Sequence, residues 1–316
     1  MSTFRWAIRR QVINTLAGWF IKDSNKDVLW IMMALLVGSI EPIVAKYGLR
    51  GQVNPIQLFV VRNLVAAIVL SPVLFNVPKL NWRSFTTIAP ASLLLMTTGL
   101  CTLVALKYLT AVTVITIVTT TPAMVAILNQ RRGKDILAPK FWLGFWLAFI
   151  GVVMSLEFDS LKVNPIGLIC VFVAVFSSSF YRVKMEDLSD QLTPFVAAGA
   201  SFALIGLLTA VFLLPFIGSL PQESLPIGIA IGISAAAANV AFVVALNRVG
   251  ATRISVITMV QRPLLIAAAA LILREQPTIL QLIGIVLVIV GMHYAKVTRL
   301  SKVKDATMPQ VARTEP

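Results

Sequence analysis

Three ionisable side chains interrupt segments that are otherwise apolar enough to cross a membrane. Glu41 directly precedes Pro42 in the first such segment, Arg62 lies seven residues past Pro55 in the second, and Arg262 directly precedes Pro263 in the ninth. A charge in hydrocarbon is costly, so each marks a candidate functional position whose partner must be named. At ~1.5 Å of rise per residue, Glu41 and Arg62 both come to ~10 Å below the outer surface, where they could pair across adjacent helices. Low dielectric drives a Glu towards its neutral form and a neighbouring Arg opposes this, which is the chemistry of a gate or a proton-responsive coupling group. The plainer alternative is a fixed ion pair between two helices. Arg262 falls ~12 Å from the inner edge of a ~30 Å core, near the midplane. A fixed cation there could meet an anionic group on a substrate, or release Glu41 from Arg62 during a conformational change.

Polar residues gather at the same depth. Thr121-Pro122 in the fourth segment and Arg262-Pro263 in the ninth each set a polar side chain before an intramembrane proline. Proline frees a carbonyl that a side chain or cavity water can satisfy. The expected substrate-binding set is therefore Arg262, Gln261, Thr120, Thr121, Asn239 and Tyr181, with Glu41 and Arg62 as gating or coupling residues. For the uncharged members the alternative is ordinary hydrogen bonding between helices. His293, the only histidine, stands near the inner end of the last segment and reads as an interfacial anchor; Cys101 and Cys170 read as small buried hydrophobes. A membrane-embedded hydrolase would need a Ser/His pair, facing aspartates or a zinc cluster. None of these is present, so no catalytic residue, metal or cofactor is expected.

The elements that must position these residues follow from composition. Hydrophobic residues make up 58% of the chain and charged residues 13%, with a mean hydropathy of +0.88. Soluble domains average ~45–50% and ~25%, so this is a polytopic membrane protein. Ten spans are expected, at 28–48, 55–76, 85–105, 110–129, 139–157, 164–182, 194–217, 226–246, 254–273 and 278–296. With both termini inside, only Lys46, Arg50, Lys107, Lys162 and Arg274 fall outside. Every other Lys and Arg except Arg62 and Arg262 falls inside, Arg182 and Lys184 among them. The formal charge of +14 is thus topological and does not point to nucleic acid. Residues 1–27 carry Phe4, Ile8, Val12, Leu16, Trp19 and Phe20 on one helical face, as an amphipathic helix lying on the inner leaflet would. The tail 299–316 is expected to be disordered.

One unit is written twice. Asp135 is followed by Gly144 and Gly151, and Glu275 by Gly284 and Gly291, at identical spacing; Ala105-Leu106 matches Ala245-Leu246. The halves, 28–157 and 164–298, hold five spans each. An odd number makes the second copy enter from the opposite side, so the repeats are inverted. The fold class is an all-α polytopic membrane helix bundle of ten transmembrane helices in two inverted five-helix repeats. The glycines read as packing seams.

Ten spans in two halves, each ending in an acidic turn, Gly-x6-Gly and a basic tail, resemble the drug/metabolite transporter superfamily, EamA type. The resemblance covers residues 28–298. It implies a central cavity and alternating-access transport of amino acids, amphipathic drugs, purines or phosphorylated sugars. Asp135 stands where glutamate is commoner, and Arg262 is not a hallmark. The expectation is a secondary carrier of a small organic solute (amino acid, metabolite or amphipathic drug), with a proton-coupled exporter as one form. A lipid or lysolipid flippase is the alternative. The expected partners are a small-molecule substrate and membrane lipids, with a homodimer admitted. The expected place is the cytoplasmic (inner) membrane, with both termini cytoplasmic.

Overall fold

The computed structural model describes residues 25–49, 54–75, 82–109, 114, 117–154, 164–216, 224–261, 279–295 and 297–299. Helix α1 is Asn25–Leu49, α2 Pro55–Leu70, α3 the short Pro72–Phe75, α4 Trp82–Tyr108, α5 Thr121–Arg131 and α6 Pro139–Met154. In the second half α7 is Pro165–Gln191, α8 Pro194–Phe212, α9 Ser224–Val249, α10 Ala251–Ile257 and α11 Ile279–Tyr294. Strands β1 (Asp135–Leu137) and β2 (Val297–Arg299) form an antiparallel ribbon, the one addition to an all-helical expectation among the described residues. It ties the turn after α5 to the segment after α11.

Local sequence explains where the helices start and stop. Asn54-Pro55 and Asn164-Pro165 open α2 and α7 alike, the Asn side chain accepting from the backbone N–H of Ile56 at 3.0 Å and Ile166 at 2.9 Å. Proline at the first helical position has no N–H to leave orphaned. Between α9 and α10, Gly250 adopts φ 90°, which only glycine takes readily, and the chain re-enters a helix within one residue.

The repeat is visible in which helices touch. Counting α1, α2, α4, α5 and α6 against α7, α8, α9, α10 and α11, three pairs of equivalents pack on each other: α2 with α8, α5 with α10, and α6 with α11. The others exchange partners, α1 packing on α9 and α4 on α7. That is the contact pattern of a pseudo-twofold axis. The glycine pairs lie on it. A Cβ added to Gly144 would sit 2.5 Å from the Gly291 carbonyl, one on Gly291 2.6 Å from the Gly144 carbonyl, and one on Gly151 2.6 Å from the Gly284 carbonyl. Helices α6 and α11 thus cross antiparallel with backbones in contact, as small residues allow where lipid removes the hydrophobic drive. Their outer faces are apolar and exposed, through Leu143, Trp146 and Ile150 on α6 and Ile283, Val286 and Val290 on α11.

Five described helices are long and apolar enough to cross a membrane, and four more are shorter apolar helices. The main departure from the expected spans is α7. It does not stop at Arg182 but runs to Gln191, 27 residues in all. Arg182, Lys184, Glu186 and Asp187 end the apolar run, yet they are adequate helix formers, and partners within the bundle hold three of them. Hydropathy ends before the helix does.

Candidate functional site

The end of the bundle that carries Asp27, called here the Asp27 end, is closed by contacts between the two halves. Arg132 and Lys134, after α5, both reach Asp187 on α7, Lys134 at 2.6 Å, and Lys134 also approaches Asp190 at 3.9 Å. Arg248 on α9 reaches back to Asp27 on α1 at 2.5 Å. Each of these ion bridges joins one repeat to the other.

Beneath them lies a buried polar knot. The Asn129 amide donates to Glu186 Oε2 at 3.1 Å, to Thr252 Oγ1 at 3.3 Å and to Asp135 Oδ2 at 3.3 Å, and Thr252 donates to Asp135 at 2.5 Å. All four residues are buried, Asn129 and Thr252 completely. So Asp135, the acidic residue of the repeated turn, is no surface feature. It is held in place by the first turn of α10, in the opposite half. The Asn129 amide and the Thr252 hydroxyl offset the desolvation of these two carboxyl groups only while the halves stay together.

Further into the span, α7, α9 and α10 converge on a second polar group. Tyr181 and Asn239 hydrogen-bond to one another, the Asn amide donating to the phenol oxygen at 3.0 Å. Next to Tyr181, Arg182 donates to Ser255 Oγ on α10 at 2.9 Å and lies over the Phe242 ring of α9, 4.9 Å from its centroid. Helix α7 is ~40 Å long at ~1.5 Å per residue, against ~30 Å of hydrocarbon, so with Pro165 at one membrane edge Arg182 lies ~25 Å in. The sequence placed it at the inner end of the sixth expected span, 164–182. Only the packing of α10 on α7 sets it against Ser255, and the polar run Ser177–Ser179, Tyr181 was the signal that the interior face continued.

The remaining candidates are distributed as follows. Gln261, the last described residue before 262–278, donates to the Leu35 carbonyl of α1 at 3.2 Å, with Ser234 donating to the Val37 carbonyl two residues along at 3.1 Å. Thr121 donates to the Val118 carbonyl at 2.7 Å, the acceptor that Pro122 leaves without its helical N–H, and Thr120 donates to the Ile117 carbonyl at 2.6 Å. Arg62 donates to Asn63 Oδ1 at 2.8 Å. The Glu41 side chain and Arg262 lie outside the described residues, and so does any pairing of Glu41 with Arg62. Residues 1–24 of the amphipathic segment and 300–316 of the tail lie outside them too. The structure thus brings Tyr181, Asn239 and Arg182 into one group and sets Gln261 against α1.

Comparison with known proteins agrees with this architecture. A solved structure described as a crystal structure of a protein superposes with a TM-score of 0.70 over 86% of this chain and 97% of its own, at 16% sequence identity. At that identity the likeness shows the fold alone. No curated protein matches the chain. The model of the EamA-like transporter family, within the drug/metabolite transporter superfamily, matches twice, at residues 25–156 and 165–294. With two copies of that unit crossing the membrane in a polytopic bundle, the chain belongs to the EamA-like transporter family.

Proposed function

We propose that the protein is a secondary carrier that moves a small organic solute by alternating access, with no chemical step. The observation that carries this reading is the division of labour at the Asp27 end. The ion bridges and the Asn129 knot hold one half against the other, and α6–α11, with its backbone contact, offers a rigid seam about which the halves can rock. In the described conformation the Asp27 end is shut. Opening it requires breaking the bridges of Asp187 and Asp27 and parting Asn129 and Asp135 from Glu186 and Thr252. Solute then meets α7, α9 and α10 from one side of the membrane at a time.

The proposed orientation puts the Asp27 end in the cytoplasm of a cell whose inner membrane holds the protein, with both termini inside. Support comes from Arg132, Lys134 and Arg248 gathering at that end, as the positive-inside bias asks. Arg262, Gln261, Thr120, Thr121, Asn239 and Tyr181 remain the proposed solute contacts, and Glu41 with Arg62 the proposed coupling pair. Coupling would be to protons if Glu41 titrates during the cycle.

The test is uptake of a radiolabelled panel of amino acids, nucleobases, sugar phosphates and amphipathic cations into proteoliposomes. Acceleration by unlabelled solute on the far side marks a carrier. If no soluble solute moves and a labelled lipid crosses instead, the carrier reading fails in favour of a flippase. For coupling, Glu41→Gln should abolish the pH dependence of uptake; an unaltered profile removes Glu41 from that role.

A further inference from the structure

Three cations of the Asp27 end have carboxylate partners: Arg132 and Lys134 have Asp187, and Arg248 has Asp27. Arg182 differs. Among the described residues no carboxylate lies within ion-pair distance of it, and its neighbours are a neutral hydroxyl and the face of a ring. An acidic residue is nonetheless close by in sequence. Glu186 stands one helical turn further along α7, at the i,i+4 spacing that favours an ion pair. Its carboxylate goes instead to Asn129, on the opposite half. Arg182 is thus a half-buried cation ~5 Å from the Asp27-side edge of the hydrocarbon, kept from the nearest internal counter-ion. A hydroxyl and a ring face offset only part of the loss of hydration.

Its supports are fixed. Ser255, itself buried, donates to the Ala251 carbonyl at 2.6 Å and so is aligned when it accepts from Arg182. Phe242 packs against two separate apolar clusters, which holds its ring still. A guanidinium has five N–H donors and fits planar or tetrahedral oxyanions in a fork geometry. The repeat does not require an arginine here: in the register that sets Gly144 on Gly284, Tyr181-Arg182 falls on Glu41-Pro42. The cation is therefore peculiar to the second half and is no part of the duplicated scaffold.

We infer that Arg182, positioned by Ser255 and Phe242, receives the anionic group of the carried solute, which makes the substrate class small organic oxyanions with an apolar or aromatic body. The inference rests on the carrier reading and narrows it. The anion supplies the counter-charge that the fold withholds. Phe242 and the Tyr181–Asn239 pair border the same place and accommodate the uncharged part.

The experiment uses the full-length protein in proteoliposomes with matched probes: aromatic and aliphatic carboxylates, their neutral amides, and phosphate monoesters of the same bodies. Anionic members should be taken up and amides should not, with carboxylates and phosphates separating the two sources of an oxyanion. Arg182→Gln should raise the KM for the anion about 30-fold or more, as loss of one partner of a buried charge pair does. Arg182→Lys should recover part of it, and the exposed Lys184→Gln should leave it unchanged. Folding of each variant is checked by gel filtration and by its melting temperature. Uptake of amides or amphipathic cations without any anion overturns the inference and leaves the carrier reading standing. Failure of every soluble probe overturns both. Anion uptake equal in wild type and in a folded Arg182→Gln variant overturns the role of Arg182.

Discussion

Asp187→Asn should loosen the closed end without unfolding the protein. The carboxylate holds Arg132 and Lys134 together, with side-chain exposures of 24% for Asp187, 35% for Arg132 and 28% for Lys134. Bridges this open to solvent are each worth about 0.2–1 kcal/mol, so the pair contributes about 0.5–2 kcal/mol to closure. If closure and opening are two states of one equilibrium, the open fraction rises about 2- to 30-fold. The readout is a cysteine in place of Val183, which is buried at 3% and whose carbonyl accepts from Arg132 at 3.5 Å. With Cys101 and Cys170 replaced by alanine, labelling of Val183→Cys by a membrane-impermeant maleimide from the Asp27 side is timed with and without Asp187→Asn. A labelling rate raised within that range is expected, and reduced by added solute that favours the closed form. An unchanged or slower rate in the Asp187→Asn background would refute the idea that these bridges hold the end shut.

Three other substitutions probe the scaffold. Gly144→Ala forces a Cβ to within 2.5 Å of the Gly291 carbonyl, so α6 and α11 must separate; a loss of about 1–3 kcal/mol is expected in detergent unfolding. Thr121→Val strips the donor from the Val118 carbonyl and should cost about 1–2 kcal/mol in the same assay, with Thr121→Ser restoring most of it. Asn129→Ala removes the shared donor of two buried carboxyls and should cost about 2–3 kcal/mol; Asn129→Asp should lose more, because a third carboxyl would face Asp135 and Glu186.

What was legible in the sequence follows from how far each signal reaches along the chain. Span positions depend on local hydropathy, and the duplicated Asp135–Gly144–Gly151 and Glu275–Gly284–Gly291 spacing is an internal comparison, so the bundle and its two halves could be read directly. The glycines could be read as packing seams from residue type alone, and Gly144 and Gly291 do lie in reciprocal backbone contact. The polar knot could not be read. Asn129, Glu186 and Thr252 are 57 and 123 residues apart by their hydrogen bonds, and nothing local marks them as neighbours. Arg182 was hidden for a different reason. A charge at the end of an apolar run looks like the end of a span, and only the continuation of α7 to Gln191, with α10 packed alongside, turns it into a half-buried cation of the bundle. Thr121 shows a third case. The Thr-Pro step announced a freed carbonyl, and the structure shows the threonine itself satisfying it.

The central claim is that the two halves must part at the Asp27 end for solute to cross. Cysteines in place of Asp27 and Arg248, whose side chains meet at 2.5 Å, can be joined across α1 and α9 by a reducible cross-linker. Exchange of the solute found by the panel is then measured in proteoliposomes before cross-linking, after it and after reduction. Alternating access requires exchange to stop when the halves are joined and to return on reduction. Undiminished exchange through a fully cross-linked protein would contradict it.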